Sequence, residues 1–284
     1  MLTGEPVQIL HGDNLDIMRA MRDKCVDLVV TSPPYEDARQ YAELQFRLRG
    51  QAWVDWAVPR YLECLRVCRG LVAWVIEGKT RKYRWSATPA LFMADLHRAG
   101  VHLRKPPIFK RVGIPGSGGP DWWRNDYEIV VCATRGGRLP WSCNTATGRP
   151  PKYAPGGAPS HRMANGRRVA VMHTKTMADG SKRKQGYNPP AIANPGNVIE
   201  CQVGGGRMGS PIAHENEAPF PESLVEPFVL CYCPPGGVVL DPFSGSGTTA
   251  KVAMKHGRRA IAIDERVCQI ECTTRRVQEV GQVA

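Results

Sequence analysis

The stretch Val26-Asp27-Leu28-Val29-Val30 is a short apolar run, and it delivers Thr31-Ser32-Pro33-Pro34-Tyr35 at its carboxyl end. A second run, Val238 to Leu240, delivers Asp241-Pro242-Phe243-Ser244-Gly245-Ser246-Gly247-Thr248-Thr249 in the same way. Short apolar runs bounded by turn residues fit strands buried on both faces, as in a parallel sheet covered by helices. Ligands bind such sheets at the carboxyl ends of the strands, where both motifs fall.

Strand and helix patterns alternate on either side of the first run. Val7 to Leu10 predicts a strand, and Asp13 can cap a helix carrying Leu15, Met18 and Met21 on one face. Beyond Gly50 a helix carries Trp53, Trp56, Ala57, Leu62 and Leu65, and Leu71 to Ile76 returns as a strand. Thr88-Pro89 opens a helix that Gly100 stops, and Tyr127 to Ala133 is another strand. Later, a helix from Glu222 to Cys231 precedes the strand Val238 to Leu240. A helix from Thr248 to His256 then ends at Gly257, before the strand Ala260 to Ile263 and a closing helix. Strands joined by helices in this order predict an α/β fold, a doubly wound and mostly parallel sheet.

Residues 134–213 break that rhythm with 13 glycines and nine prolines. They also hold 12 Lys or Arg against two acids, Asp179 and Glu200, which accounts for +10 of the chain's net charge of +12. Trp141, Tyr153, Tyr187 and the run Val169-Ala170-Val171-Met172 give this segment enough apolar surface to order on a target. The expected organisation is therefore an α/β domain from residues 1–133 and 214–284, interrupted by a basic, loop-rich insert at 134–213. Charge concentrated in this way points to a polyanionic partner.

At 284 residues the chain can build one good core and a smaller attached module. No apolar run approaches the roughly 18 residues of a membrane span. The start MLTGEPVQIL lacks the basic-then-apolar layout of a signal peptide, so the expectation is a cytosolic protein with no membrane partner. Ten cysteines are spread without a Cys-x-x-Cys pair. They read as small reduced thiols rather than disulfides or ligands, and no metal is expected.

Gly245, Ser246 and Gly247 let the chain turn tightly out of a strand and bring backbone amides close to a ligand, with a helix opening at Thr248. Asp264 closes the next strand 23 residues after Asp241, the spacing used to grip ribose hydroxyls. The pattern Gly245-x-Gly247-x-x-Ala250 also fits a dinucleotide fingerprint. Asp241 argues against a dinucleotide: a carboxylate beside the turn repels a pyrophosphate and suits an ammonium. S-adenosylmethionine carries an ammonium together with its adenosine. At a third strand end, His11-Gly12-Asp13 either binds the adenine amine or is a plain helix cap.

The exocyclic amine of adenine or cytosine is a weak nucleophile, because its lone pair is delocalised into the ring. Acceptors for both of its N–H bonds favour a pyramidal nitrogen aimed at a methyl donor. The Ser32 side chain and the Pro33 carbonyl are candidates for that pair, Pro33 and Pro34 stiffen the loop, and Tyr35 offers a ring for stacking. An ordinary Pro-Pro turn is the bland alternative.

These residues resemble the DNA amino-methyltransferases, the S-adenosylmethionine-dependent enzymes that methylate N6 of adenine or N4 of cytosine. The family's catalytic motif [DNS]-P-P-[YFW] is similar to Ser32, Pro33, Pro34 and Tyr35; its cofactor motifs are similar to Asp241 to Thr249 and to HENEAPFPE, residues 214–222. Catalytic motif first and cofactor motif last matches the permuted beta-type group. The resemblance implies a Rossmann-like methyltransferase fold, with the cofactor held by Gly12, Asp13, Thr31, Phe220, Asp241, Pro242, Phe243, Ser244, Gly245, Ser246, Gly247, Thr248, Thr249 and Asp264. It further implies a target-recognition region in the insert and a target base rotated out of duplex DNA. Arg149, Lys152, Arg162, Arg167, Arg168, Lys175, Lys182, Arg183, Lys184 and Arg207 would then contact DNA, with Arg167, Arg168 and the run 182–184 on phosphates.

Ser32 stands where many adenine-specific members have Asp or Asn, which leans toward cytosine without deciding the base. The catalytic motif holds no carboxylate to accept the released proton. A protein glutamine-amide methyltransferase shares the Pro-Pro-aromatic motif but carries its motifs in the opposite order. An inactive DNA-binding relative is the other rival. The family resemblance leaves a homodimer open, with Ala38 to Gly50 as a partner surface or a cover over DNA; a restriction endonuclease partner is not indicated.

Overall fold

The computed structural model describes residues 5–36, 47–113, 118–153, 158, 160–170, 172–186, 188–204, 206–216 and 218–281. The segment Ala38 to Gly50 falls outside them as far as residue 46. Two compact units divide the chain, one of residues 1–143 with 196–284 and one of residues 144–195.

The larger unit follows the expected alternation. Its elements begin β1 (Val7–His11), α1 (Asn14–Ala20), β2 (Val26–Thr31), α2 (Gly50–Val67) and β3 (Cys68–Ile76). A small hairpin follows, β4 (Thr80–Arg81) and β5 (Arg84–Trp85), and then α3 (Thr88–Arg98), β6 (His102–Arg104), β7 (Ile108–Val112) and β8 (Tyr127–Thr134). In the smaller unit lie β9 (Ser160–Arg162), β10 (Arg168–Ala170), β11 (His173–Thr176) and β12 (Lys182–Gln185). The larger unit resumes with β13 (Val198–Gln202), a 3-10 turn at Pro211–Glu215, α4 (Glu222–Tyr232), β14 (Val238–Asp241), α5 (Thr248–Lys255), β15 (Arg259–Asp264) and α6 (Val267–Gly281).

Strand order is β1-β15-β14-β2-β3-β8-β7-β13, with β6 on β8. The pairs from β1 to β3 are parallel, as is β7 with β13, and β8 runs antiparallel to its neighbours. Side-chain alternation on β3 explains the two layers of helix. Val72, Trp74 and Ile76 face a core with Met18, Trp53, Tyr61, Phe92 and Leu96 from α1, α2 and α3. Leu71, Ala73 and Val75 face a core with Leu224, Phe228 and Val252 from α4 and α5. A strand apolar at every position needs cover on both faces, which is what the two helical layers supply. The two edge-on Trp74 contacts, with Tyr61 at 5.2 Å and Phe243 at 5.4 Å between ring centroids, carry that packing up to the cofactor segment.

The basic segment does not form one unit. Val198–Gln202 pairs parallel with Ile108–Val112, and residues 134–143 and 196–213, Arg207 among them, belong to the larger unit. What remains, 144–195, contains two antiparallel hairpins, β9 with β10 and β11 with β12, and an Arg149–Ala193 bridge near its ends. Among the described residues no helix is long and apolar enough to cross a membrane.

Candidate active site

The two motifs occupy adjacent strand ends because β14 pairs with β2, Leu240 opposite Val29. Thr31 donates its hydroxyl to Asp241 Oδ1 at 2.5 Å, and Phe243 N–H donates to the same oxygen at 3.1 Å. Asp241 is buried, and among the described residues its Oδ2 accepts no hydrogen bond. Burial pushes its carboxyl up to about 6, a shift tempered by the Thr31 and Thr249 hydroxyls. An unsatisfied buried carboxylate oxygen at the lip of a glycine turn is the group an amino-acid ammonium would complete.

The turn itself is tightly built. Gly245 has φ +48° and Gly247 φ +80°, and a Cβ on Gly245 would lie 2.5 Å from Asn216 Nδ2. Glycine is favoured at both positions, and at Gly247 a Cβ would also lie 2.9 Å from Thr273 Cα, a backbone atom that cannot swing aside as the Asn216 amide can. Gly245 N–H donates to Asp264 Oδ2 at 2.9 Å, while Asp264 Oδ1 accepts from Arg266 N–H at 3.0 Å. Asp264 thus braces the turn from the next strand end. Ser244 N–H bonds the Ile263 carbonyl at 2.9 Å, and Asn14 donates to the Pro242 carbonyl at 3.0 Å. Thr249 donates to the Val30 carbonyl at 3.4 Å, and Thr248 lies 3.5 Å from the Phe220 carbonyl.

At the third strand end Asp13 is the cap of α1. Its Oδ1 caps α1 through Leu15 N–H at 2.7 Å, and its Oδ2 pairs with Arg60 at 2.9 Å. Gly12, at φ +144°, donates to the Asp264 carbonyl at 3.1 Å, so this turn is joined to the cofactor side of the sheet.

The Ser32–Tyr35 loop is held from three sides by residues the motif search did not single out. Trp53 donates its indole N–H to the Pro34 carbonyl at 2.8 Å. Tyr35 donates its hydroxyl to Glu128 Oε2 at 2.5 Å, with Arg111 3.3 Å from the other oxygen of that carboxylate. Burial and the Glu128 charge hold the phenol well above its ordinary range, so it stays protonated. Glu36, next in sequence, accepts from Gly50 N–H at 2.9 Å, Lys79 N–H at 2.8 Å and the Thr88 hydroxyl at 2.7 Å. Glu77, directly after β3, is pushed up to about 7, first by burial and further by the Glu128 charge.

Arg276 was also missed. Fully buried on α6, it donates to Ser246 at 3.2 Å, Thr248 at 2.8 Å, the Met208 carbonyl at 3.2 Å and Glu222 at 3.1 Å. The spacing Cys272, Thr273, Arg276 is one helix face, and it was the available signal.

The described basic residues of the smaller unit are exposed. Arg162 stands directly across from Arg168, and Lys175 across from Arg183. Lys152 lies 5.7 Å from the Tyr153 ring centroid. Arg149 is bridged to Ala193 through its backbone.

A glycine turn and a proline-stiffened loop on neighbouring ends of one open sheet fit an S-adenosylmethionine-dependent methyltransferase. The model of the N6_N4_Mtase family, described as DNA methylase, matches residues 26–273, and the chain belongs to that family. The orphan methyltransferase M.BamHII of Bacillus amyloliquefaciens is 30% identical over 87% of this chain and 88% of its own length. The DNA adenine methyltransferase YhdJ of Escherichia coli strain K12 is 24% identical over 92% of this chain and 79% of its own. Among solved structures, the cytosine-N4-specific PvuII DNA methyltransferase superposes with a TM-score of 0.67 at 16% identity, covering 99% of this chain and 92% of that one. The M1.HpyAVI–SAM complex superposes at 0.53 with 17% identity, covering 95% and 99%. These likenesses establish the fold. The protein is a DNA methyltransferase of the adenine-N6 or cytosine-N4 kind, with S-adenosylmethionine as its methyl donor.

Proposed function

We propose that the chain methylates N6 of adenine or N4 of cytosine on a base turned out of duplex DNA, with Ser32 to Tyr35 as the amine site. The observation that carries this reading is the Thr31–Asp241 bond, which holds the amine loop and the cofactor turn at one point of the sheet. S-adenosylmethionine supplies an activated methyl group when bound. Asp241 would hold its ammonium, the backbone of residues 242–249 would follow its methionine moiety, and Asp264 with Gly12 and Asp13 would take the adenosine.

The chain's own residues prepare the amine. Ser32 and the Pro33 carbonyl accept from its N–H bonds, and the Tyr35 ring, anchored through Glu128, gives the flat base a fixed face. After transfer the nitrogen must lose a proton. Glu77, raised to about 7 at the neighbouring strand end, is a carboxylate of suitable basicity to take it up at neutral pH.

The smaller unit is read as the target-recognition region. Like charges directly opposite on an exposed hairpin repel each other, as Arg162 and Arg168 do, and phosphates between them would remove that cost. Arg149, Lys152, Arg167, Lys175, Lys182, Arg183, Lys184 and, from the larger unit, Arg207 complete the basic set. The location inferred is the bacterial cytoplasm, on the nucleoid. A homodimer is part of this reading, and a light-scattering mass of one chain with and without DNA would remove it.

The test incubates the protein with methyl-labelled S-adenosylmethionine and duplex genomic DNA, digests to nucleosides and identifies the product by mass spectrometry. Labelled N6-methyladenine or N4-methylcytosine supports the reading and names the base. Unlabelled DNA in the presence of demonstrated cofactor binding overturns it.

A further inference from the structure

Two loops at the carboxyl ends of β3 and β7 are not used by the chemistry above. The first is the β4–β5 hairpin, whose two-residue turn Lys82-Tyr83 has φ of +46° and +65°. Such turns are normally made by Asn-Gly, because a β-carbon is strained in that conformation. Here the strained position carries a tyrosine that is 76% exposed, so its side chain contributes little to folding. The second loop carries Trp122 and Trp123, the latter 96% exposed. The Tyr83 and Trp122 rings meet edge to face at 5.3 Å, joining the loops into one aromatic surface.

Charge and position narrow what this surface meets. The hairpin carries Arg81, Lys82 and Arg84 and no acid, whereas in the second loop Asp121 precedes Trp122 and Arg124 pairs with Asp126 at 3.5 Å, so the cationic side of the surface is the hairpin. Glu36, one residue after Tyr35, receives hydrogen bonds from both feet of the hairpin, Lys79 N–H and the Thr88 hydroxyl. At the near foot the Trp85 indole covers Gly78 so closely that a Cβ there would lie 2.4 Å from its Nε1. The aromatic surface is therefore fastened to the residue that ends the amine loop.

We infer that Tyr83, Trp122 and Trp123 form a nucleobase-stacking platform beside the Ser32–Tyr35 loop, taking the base faces that extrusion of the target base exposes. The inference rests on the DNA reading above. Extruding a base breaks the stack and exposes the faces of its neighbours; aromatic rings replace that stacking without regard to sequence, and adjacent cations hold the phosphates.

The experiment measures binding of oligothymidylate and of a duplex with a single unpaired base, by tryptophan fluorescence quenching and by anisotropy. Wild type is compared with Trp123→Ala, Trp122→Ala and the double variant Lys82→Asn, Tyr83→Gly, with cofactor affinity measured separately by calorimetry. The double variant places residues suited to the turn, so its melting temperature is expected to equal or exceed wild type. Each loss of a stacking ring should weaken single-strand binding about 5- to 150-fold, with cofactor affinity unchanged. Wild-type affinity and quenching in all three variants overturn the platform. So does a concentration-dependent dimer that Trp123→Ala abolishes, since the surface would then be covered by a second copy. Labelling of genomic DNA by the wild type is scored in parallel: labelled DNA with unaffected variants sinks the platform alone, whereas unlabelled DNA sinks the DNA reading.

Discussion

Thr31 and Asp241, 210 residues apart in sequence, share a 2.5 Å hydrogen bond across neighbouring strand ends. Each begins a motif, so this contact sets the distance between amine loop and cofactor turn. Replacing Thr31 by Val keeps the shape and removes the donor. Asp241 would then keep Phe243 N–H on Oδ1 but lose its closest partner, and its carboxyl should rise further above 6. The expected result is a fold weakened by about 1.5–3 kcal/mol, the range for a hydrogen bond to a charged group, and weaker S-adenosylmethionine binding at pH 7 because more of Asp241 is protonated. Isothermal titration checks it; an unchanged affinity would show that the bond is structural only.

Asp241 also makes a prediction about pH. Its carboxyl sits at about 6 in the folded chain because of burial, above the ordinary carboxylate value. A raised value means that the folded state binds the proton more tightly than the unfolded one. Its stabilising contribution is present below pH ~4 and is lost as pH rises through about 6, an effect of about 3 kcal/mol for a shift of roughly two units. The free protein should therefore lose this increment between those pH values, and Asp241→Asn should raise its melting temperature at pH 7.5. The same variant should lose cofactor binding. In wild type, cofactor affinity should fall as pH drops below about 6, because an ammonium needs the ionised carboxylate.

Ser32→Ala and Tyr35→Ala are expected to abolish transfer to DNA while leaving cofactor affinity near wild type, since Tyr35 is held by Glu128 and the turn at 241–249 is braced separately, by Asp241 and Asp264. Tyr35→Phe is a finer instrument. It retains the ring but leaves Glu128 Oε2 without its phenol donor beside Arg111. Turnover should drop about tenfold or more as the ring loses its anchor, and Glu128→Gln should partly restore it. Wild-type turnover in Tyr35→Phe would show that the ring needs no anchor.

Arg275 and Arg276 are neighbours with opposite fates. Arg275 makes an exposed pair with Glu215, while Arg276 is fully buried against Ser246, Thr248 and Glu222. Arg276→Met should destabilise the chain by about 1.5–3 kcal/mol, the range for hydrogen bonds from a charged group, since Lys251 at 3.2 Å still compensates Glu222, and should weaken cofactor binding through the loosened turn. Arg275→Ala should leave both readouts near wild type. Equal effects from the two variants would contradict the bracing role.

The sheet was legible because its strands are apolar on both faces and its glycine turn and Pro-Pro loop follow those runs directly. Val198–Gln202 was not, because VIECQ alternates like an exposed strand and sits in a Gly- and Pro-rich stretch; only its pairing with Ile108–Val112 reveals it. Leu62 reads as part of a packed face, yet it is 38% exposed. Within the site, motif residues were readable by local spacing. Trp53, Glu128, Arg111 and Arg276 were not, since each acts from a distant segment that only the fold brings alongside.

Glu77 supplies the last test. It follows the apolar run Leu71 to Ile76, the last residue of which pairs with Ile129, next to Glu128, and its Oε1 accepts Gly78 N–H at 2.8 Å. Burial lifts its carboxyl to about 7, with the Glu128 charge adding to the rise. A proton acceptor must be ionised to act, so single-turnover transfer should increase with pH through about 7 and level off above it. Glu77→Gln cannot take up a proton: its rate should be lower, and the limb centred near 7 should vanish. Because cofactor binding depends on Asp241 near 6, saturating cofactor separates the two titrations. A profile that keeps its limb near 7 in Glu77→Gln would transfer the proton to solvent and leave Glu77 a structural partner of the hairpin foot.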